Sequence, residues 1–291
     1  MKKLLDKIKG RVQPSKSYSP LEINNNIEEI SSIKEFKMLH VCGQGTFSSV
    51  YKAEWTERGI IVAAKKVLAL SPNEREILDR LKNEHIIETY GTILQSPDHY
   101  IIMEYAAGGS LYNYLRCRNG DRLTTEHFYR WTEHATEAVR YLGSIHIAHR
   151  DIKSPNYLIT ENQLKLCDFG TAKFSKKGTS MTSQEKGSAA WMAPEMIRDR
   201  LASEKSDVYS LGVVIWELFT GGIPHAGADN HYQIMWLVAV NGVRPTIPED
   251  CPAPLRQLMK DCWEEDRYSR PTAEDLLQKI RTKSLGLPLF V

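Results

Sequence analysis

The hydrophobic pattern of this 291-residue chain changes near residue 109. Before that point, short runs of β-branched and aromatic residues at 50–53, 60–63 and 100–103 are separated by glycine or polar turns, as in antiparallel strands. Beyond it, apolar residues recur every three or four positions, which indicates a long helix. These residues are Phe128, Trp131, Ala135, Ala138, Leu142 and Ile145. The pattern predicts a small strand-rich lobe and then a larger helical lobe, with a boundary near residues 104–109.

Two further segments refine this division. The run at 73–81 combines helical spacing with strong helix formers and predicts a helix inside the small lobe. The run at 207–219 is apolar on nearly every side, yet it is shorter than the roughly 20 residues that span a bilayer. It therefore predicts a helix buried in the core of the large lobe.

Composition excludes several classes of protein. Hydrophobic residues make up 42% of the chain and charged residues 25%, which suits a globular core rather than a disordered chain. The net charge of +2 gives no reason to expect nucleic acid as a partner. We expect no transmembrane segment and no signal peptide, because no apolar stretch is long enough for either.

The five cysteines lack the spacing of a metal site or a disulfide framework. They are Cys42, Cys117, Cys167, Cys251 and Cys262. An odd number without pairing predicts reduced thiols and a cytoplasmic protein. Residues 1–35 differ in composition from the rest, and we expect them to form a flexible N-terminal tail.

A glycine-containing loop separates two of the predicted strands. Gly43 and Gly45 allow the backbone to approach phosphate oxygens, and Ser48 replaces the third glycine of a G-x-G-x-x-G pattern. A strand continues through Val50 and Tyr51 where a dinucleotide-binding turn would begin a helix. The loop therefore fits a flap over a nucleotide.

A lysine stands in the next apolar strand. Lys65 follows Val62-Ala63-Ala64, and a lysine there is unfavourable unless its charge is paired or serves a ligand. Lys66 points to the opposite face and is expected to be solvated. Glu74 in the predicted helix is the expected partner of Lys65, and Glu76 is a competing candidate.

The segment His149-Arg150-Asp151-Ile152-Lys153-Ser154-Pro155-Asn156 carries the strongest chemical signal. From one tight loop, Asp151 can orient a hydroxyl and accept its proton, Lys153 can neutralise phosphate charge, and Asn156 can ligate a hard cation. Asp168-Phe169-Gly170 follows an apolar strand and offers a second oxygen ligand near Asn156.

In order and spacing, these motifs resemble those of eukaryotic protein kinases. The resemblance covers residues 36–281 and extends to the tripeptide at 193–195, to Asp207 at the start of the buried helix, and to Arg270.

The resemblance implies an α+β, bilobal protein-kinase fold. Its N-lobe, residues 36–107, would hold a small antiparallel β-sheet and one key helix. Its C-lobe, residues 108–281, would be larger and mainly α-helical. Residues 282–291 would form a C-terminal tail.

The same resemblance implies catalytic roles for four residues. Lys65 would hold the α- and β-phosphates of ATP and pair with Glu74. Asp151 would orient the substrate hydroxyl and act as base, and Lys153 would steady the γ-phosphate.

The implied cofactors are ATP and Mg²⁺, with Asn156 and Asp168 as metal ligands. Met103 would narrow the back of the nucleotide pocket. The expected nucleotide contacts are Cys42, Gly43, Gln44, Gly45, Thr46, Phe47, Ser48, Ser49, Val50, Ala63, Lys65, Glu104, Ala106 and Leu158.

Two structural groupings are also implied. Glu195 and Arg270 would form a buried pair that fixes a shelf for the substrate. Leu78, His149 and Phe169 would stack in an apolar spine between the lobes.

The pattern favours serine/threonine over tyrosine specificity. Lys153 and Ser188 resemble the serine/threonine pattern. Ser188 can also bond to Lys153 and Asp151, which would place the substrate shelf close to Asp151, as a short substrate side chain requires. Stretches such as WMAPE and EYAAGGSLYNYL are similar to the tyrosine-kinase-like group and, within it, to mixed-lineage kinases. The implied protein substrates are mitogen-activated protein kinase kinases.

Arg150 precedes the catalytic aspartate and can receive a phosphate from the segment at 168–195. The candidate phosphosites are Thr179, Ser180, Thr182 and Ser183, with Thr182 or Ser183 preferred. A pseudokinase scaffold is the alternative to an active enzyme. A small-molecule kinase is disfavoured by the intact peptide shelf.

Overall fold

The computed structural model describes residues 27–44, 48–95, 98–118, 121–161, 163–175, 180–181 and 188–287. These residues form a strand-rich small lobe and a helical large lobe, and the α+β two-lobed fold predicted from the sequence is confirmed.

The small lobe is built on a six-stranded sheet with strand order β1-β5-β6-β4-β3-β2. Its strands are β1 (Glu28–Glu29), β2 (Phe36–Gln44), β3 (Ser48–Trp55), β4 (Ile60–Val67), β5 (Thr89–Gln95) and β6 (Asp98–Glu104). Neighbours pair in antiparallel fashion except β1, which runs parallel to β5.

The helices described are α1 (Pro72–Arg80), α2 (Leu111–Arg116), α3 (Thr125–Ser144), α4 (Pro194–Arg198), α5 (Glu204–Thr220), α6 (His231–Ala239), α7 (Ala253–Cys262) and α8 (Ala273–Arg281). The lobes meet along α1 and the end of β6. The helix α1 begins at Pro72 because the Ser71 hydroxyl accepts the backbone N–H of Glu74 at 3.1 Å.

In the described part of the large lobe, three two-stranded sheets pair β7 with β10, β8 with β9 and β11 with β12. These strands are β7 (Ile147–Ala148), β8 (Tyr157–Thr160), β9 (Gln163–Leu166), β10 (Lys173–Phe174), β11 (Ser180–Met181) and β12 (Leu201–Ala202). The segment between β7 and β8 and the turn between β9 and β10 hold two of the four predicted catalytic residues, Asp151 and Lys153, and both predicted metal ligands, Asn156 and Asp168.

The predicted apolar stripe of α3 faces the large core: five of its six residues are buried and Ile145 is half-buried. The helix α5 is buried on nearly every side, as its sequence predicts. It ends at Gly221, which takes the left-handed conformation at φ 66° that favours glycine. Among the described residues, no helix has both the length and the apolar character needed to cross a bilayer.

Parts of both predicted tails pack on the lobes. Residues 27–35 pack on the small lobe, where Ile30 is buried and β1 covers the outer edge of β5. Residues 282–287 pack on the large lobe, where Leu285 is buried and the Tyr129 hydroxyl donates to the Lys283 carbonyl at 3.0 Å. These contacts are made by single buried side chains among polar neighbours, so no hydrophobic periodicity in the sequence predicts them.

Replacing Gly212 in α5 with alanine should lower the free energy of unfolding by about 1–3 kcal/mol, because overpacking forces the neighbours to move. The added methyl would lie 2.5 Å from Cβ of Cys262 and 2.9 Å from Nε1 of Trp263. Gly143→Ala in α3 is the matched control, since its added methyl meets nothing nearer than 3.6 Å. Urea unfolding measures both changes, and equal values would contradict the close packing of α5 on α7.

Candidate active site

An ion pair crosses the cleft between the lobes. Nζ of Lys65, on β4, lies 2.7 Å from Oδ1 of Asp168, in the turn after β9. Burial alone would lower the pKa of Lys65, but the charge and hydrogen bond of Asp168 outweigh it and raise that pKa. For Asp168, partial burial alone would raise the pKa, but the Lys65 ammonium outweighs it and brings the pKa below its ordinary value. Both groups therefore stay charged at neutral pH.

Glu74 lies on the same side of the cleft. Lys65 and Glu74, both described, form no direct ion pair, but the Glu74 charge contributes to the raised pKa of Lys65. Oε1 of Glu74 lies 3.6 Å from where a Cβ of Gly170 would stand, so the carboxylate faces the turn that carries Asp168. Burial chiefly raises the pKa of Glu74. The competing candidate Glu76 instead bonds Arg80 on the exposed face of α1.

A buried carboxylate fixes the loop that carries Asp151. Asp207, at the start of α5, accepts the backbone N–H groups of His149 at 2.7 Å and Arg150 at 2.8 Å. Burial raises the pKa of Asp207 to about 7, and the two N–H donors only partly offset this. Arg150 takes φ 72°, a strained region for a residue with a side chain, and these hydrogen bonds hold the loop there.

Four polar residues converge below the cleft. Nζ of Lys153 lies 2.6 Å from Oδ2 of Asp151 and donates to the Ser188 hydroxyl at 2.9 Å. Nδ2 of Asn156 donates to the backbone oxygen and to Oδ2 of Asp151, at 2.8 and 2.9 Å. One Asp151 oxygen thus receives two donors, and Ser188 is joined to the same network through Lys153.

Asn156 and Asp168 are adjacent in space. The N–H of Cys167 donates to the Asn156 carbonyl at 2.9 Å, which holds the start of the Asp168 turn against the loop. Because the Asn156 amide nitrogen is bonded to Asp151, its side-chain oxygen is the atom suited to a cation. Asp168 takes φ 66°, which is unusual for a residue with a side chain.

The glycine loop joins β2 to β3, and the strand continues through Val50 and Tyr51 as predicted. Gly45, Thr46 and Phe47 lie outside the described residues. Six other predicted contacts flank these residues on β2 and β3, namely Cys42, Gly43, Gln44, Ser48, Ser49 and Val50. The Cys42 thiol donates to the Val50 carbonyl at 3.4 Å.

At the junction of the lobes, Glu104 ends β6 and is fixed by a residue that the sequence did not single out. Nζ of Lys165, on β9, lies 2.9 and 2.8 Å from the two carboxylate oxygens of Glu104. The Glu104 N–H donates to the Glu88 carbonyl at 2.9 Å. Leu158 lies on β8 beside Lys165, which is its register partner on β9.

Glu217 is a second residue that the sequence did not single out. It is fully buried in α5 and accepts hydrogen bonds from Ser154 at 2.8 Å, Trp191 at 2.7 Å and Arg116 at 2.9 Å. It therefore joins the loop of Asp151 to the predicted substrate shelf. A glutamate inside an otherwise apolar helix is the signal that could have found it.

The predicted pair on the shelf is present. Arg270 donates two hydrogen bonds of 2.8 Å to the carboxylate of Glu195, and both residues are buried. In the predicted spine, the rings of His149 and Phe169 meet edge to face with centroids 4.9 Å apart, and Leu78 is buried in the same core. Leu78 and Phe169 thus belong to one apolar core.

Three candidate phosphosites, Thr179, Thr182 and Ser183, lie outside the described residues. For Ser180 the structure describes the backbone, in β11.

Glu217→Gln should flatten the pH dependence of stability. Burial raises the pKa of Glu217 to about 7, above its ordinary 4.5, so the folded state holds this proton more tightly than the unfolded state. This contribution to the free energy of unfolding is full below pH 4.5 and is lost as the pH rises towards about 7. Urea unfolding across this range compares the two slopes. Asp207 titrates in both proteins, so parallel slopes would mean that Glu217 does not titrate there.

Comparison with known proteins agrees with this geometry. A family model described as "Protein tyrosine and serine/threonine kinase" matches residues 36–280. The chain is similar to mitogen-activated protein kinase kinase kinase 13 of Homo sapiens, with 38% identity over 85% of this chain and 25% of that protein.

Two further relatives are also mitogen-activated protein kinase kinase kinases. The one named dlk-1, of Caenorhabditis elegans, is 36% identical over 89% of this chain and 28% of its own length. Number 7, of Bos taurus, is 38% identical over 88% and 45%. The chain thus spans a quarter to under half of these relatives. Its matched span and its two-lobed cleft show that it belongs to the family of protein tyrosine and serine/threonine kinases.

Proposed function

We propose that this chain is an active serine/threonine protein kinase that transfers the γ-phosphate of ATP to protein hydroxyls. The observation that carries the proposal is the convergence of Lys65 and Asp168 from opposite lobes above the network of Asp151, Lys153 and Asn156. Protein kinases use ATP with a divalent metal ion, and a cationic anchor facing oxygen ligands is the arrangement that a triphosphate needs.

The metal ion in this proposal is Mg²⁺. Mg²⁺ prefers oxygen ligands, and Asp168 and Asn156 present a carboxylate and an amide oxygen on adjacent segments. These residues fit the ion, which when bound would neutralise charge on the phosphates. In this arrangement Lys65 would exchange part of its contact with Asp168 for contact with the α- and β-phosphates. Glu74 would keep the Lys65 ammonium oriented.

Asp151 is the proposed proton acceptor. Asn156 and Lys153 fix its carboxylate, so a substrate hydroxyl placed above it meets an oriented oxygen. Lys153 lies within reach of both this carboxylate and the incoming phosphate, and it is proposed to steady the γ-phosphate. Positioning and charge neutralisation supply most of the rate enhancement, because phosphoryl transfer asks little covalent chemistry of the protein.

The preference for serine and threonine is supported by the bond between Lys153 and Ser188. It ties the shelf directly to the catalytic loop and leaves a short distance between shelf and carboxylate. A short hydroxyl side chain matches that distance better than a tyrosine.

The proposed nucleotide pocket lies between the lobes. Val50 and Ala63 would cover the adenine from above and Leu158 from below. The carbonyl of Glu104 and the N–H of Ala106 would bind its edge. The Glu104 N–H is already bonded within the sheet, which supports its carbonyl as the adenine contact.

The cascade position is also a proposal. The names of the relatives support protein substrates of the mitogen-activated protein kinase kinase type. A cytoplasmic location is supported by the five cysteines, none of which forms a disulfide.

Two substitutions test the role assignments. Asp151→Asn should lower phosphate incorporation into a serine/threonine peptide library by about 10²–10⁴-fold while retaining the thermal shift produced by Mg·ATP. Lys65→Met should reduce both. Lys66→Met is the matched control, because Lys66 is the neighbour of Lys65 on the same strand and lies outside the predicted contacts. A wild-type protein that shifts with Mg·ATP but labels no acceptor would instead support the pseudokinase alternative.

Phosphorylation of the segment at 168–195 remains a prediction. Mass mapping of active protein should find phosphate on at least one of the four candidates, and Thr182 or Ser183 is the expected site. Fully active protein without any of these modifications would contradict it.

A further inference from the structure

The segment ahead of β2, residues 27–32, is built into the small lobe. Its strand β1 runs parallel to β5, with Glu28 opposite Gly91 and Glu29 opposite Thr92. The N–H of Ile30 continues this pairing with a 2.9 Å hydrogen bond to the Thr92 carbonyl. The sheet therefore ends at this segment instead of at β5.

The fit of this segment depends on the absence of a side chain at Gly91. A Cβ there would lie 2.6 Å from Cδ1 of Ile30 and 2.7 Å from the carbonyl oxygen of Glu28. Ile30 occupies that space and is 4% exposed, in one core with Phe36 and Trp55. Even one added methyl at Gly91 would thus displace the segment.

The same segment holds α1. The N–H of Ile27 donates to Oδ1 of Asp79 at 2.9 Å, and the carboxylate of Glu29 lies 3.9 Å from the guanidinium of Arg75. Arg75 directly follows Glu74, and Asp79 lies just over one helical turn further along. Two contacts therefore attach the helix that carries Glu74 to the edge of the sheet.

Another side of α1 contacts the turn that carries Asp168. Nδ2 of Asn73 donates to the Ala172 carbonyl at 3.0 Å, and the Glu74 carboxylate lies near Gly170. The helix is thus fixed between residues 27–32 and this turn. Its position decides how near Glu74 stands to the Lys65 ammonium, which in this structure is bonded to Asp168.

We propose that residues 27–32 are a positioning element for phosphoryl transfer: they fix α1 so that Glu74 faces Lys65. The inference rests on the proposed kinase function and adds Ile30 and Asp79 as positioning residues that touch neither nucleotide nor substrate.

The test uses two variants of the full chain that release the segment by different means. Gly91→Ala displaces it sterically, and Asp79→Ala removes the acceptor for Ile27. Each should lower kcat/KM for ATP about tenfold, because displacing a catalytic group by even less than 1 Å from its best position slows the reaction strongly. Gly143→Ala and Glu76→Ala are the matched controls, one for the added methyl and one for the lost carboxylate on α1. Both controls should stay within about twofold of wild type.

A second arm separates positioning from general loss of stability. In a Glu74→Gln background, Gly91→Ala should lower kcat/KM by less than about twofold further, since the segment acts through Glu74. A persisting tenfold loss in that background would overturn the proposal. So would full activity in both Gly91→Ala and Asp79→Ala.

Hydrogen exchange distinguishes this inference from the kinase proposal itself. Amides of residues 73–80 should exchange about tenfold faster in Gly91→Ala and Asp79→Ala than in wild type and the controls. Unchanged exchange would overturn the positioning role whether or not the chain is active. If exchange is faster in the two variants but the wild-type chain transfers no phosphate, the proposed function is contradicted. The attachment of α1 is then still established.

Discussion

The ion pair between Lys65 and Asp168 is the interaction on which the proposed site depends, because it is a direct polar contact between predicted site residues of the two lobes. A lysine in an apolar strand and an aspartate in a strained turn are each unfavourable alone. Together they stabilise each other's charge, as the opposite pKa shifts show. A triphosphate with its metal ion can enter this pair because it offers a negative group to one partner and a positive ion to the other.

Behind this pair, buried carboxyl groups connect separate segments of the large lobe. Asp207 holds the backbone of the loop that carries Asp151, Glu217 joins that loop to the predicted shelf, and Glu195 is bonded to Arg270 on that shelf. Removing one partner of a buried ion pair such as Arg270 and Glu195 typically costs about 3–5 kcal/mol, because the remaining charge is left uncompensated. Loop geometry in this lobe is thus set by hydrogen bonds to carboxyl groups buried in α4 and α5.

The sequence predicted the two lobes, the apolar stripe of α3 and the buried helix α5, because these follow from periodicity. It also placed Asp151, Lys153 and Asn156 in one loop, since local spacing brings them together. It missed Lys165, Glu217 and the packing of Ile30. These contacts join residues far apart in the chain, and a single side chain produces no hydrophobic periodicity from which to predict them. The preference of Lys65 for Asp168 over Glu74 is likewise a property of the assembled cleft.

The most direct test of this account is the affinity for ATP measured with Mg²⁺ and with EDTA, in wild type and in Asp168→Asn. The account predicts that Mg²⁺ tightens ATP binding by at least about tenfold in wild type, and that Asp168→Asn loses most of this gain. Equal Mg²⁺ dependence in the two proteins would contradict it, because Asp168 would then not hold the ion that joins the nucleotide to the large lobe.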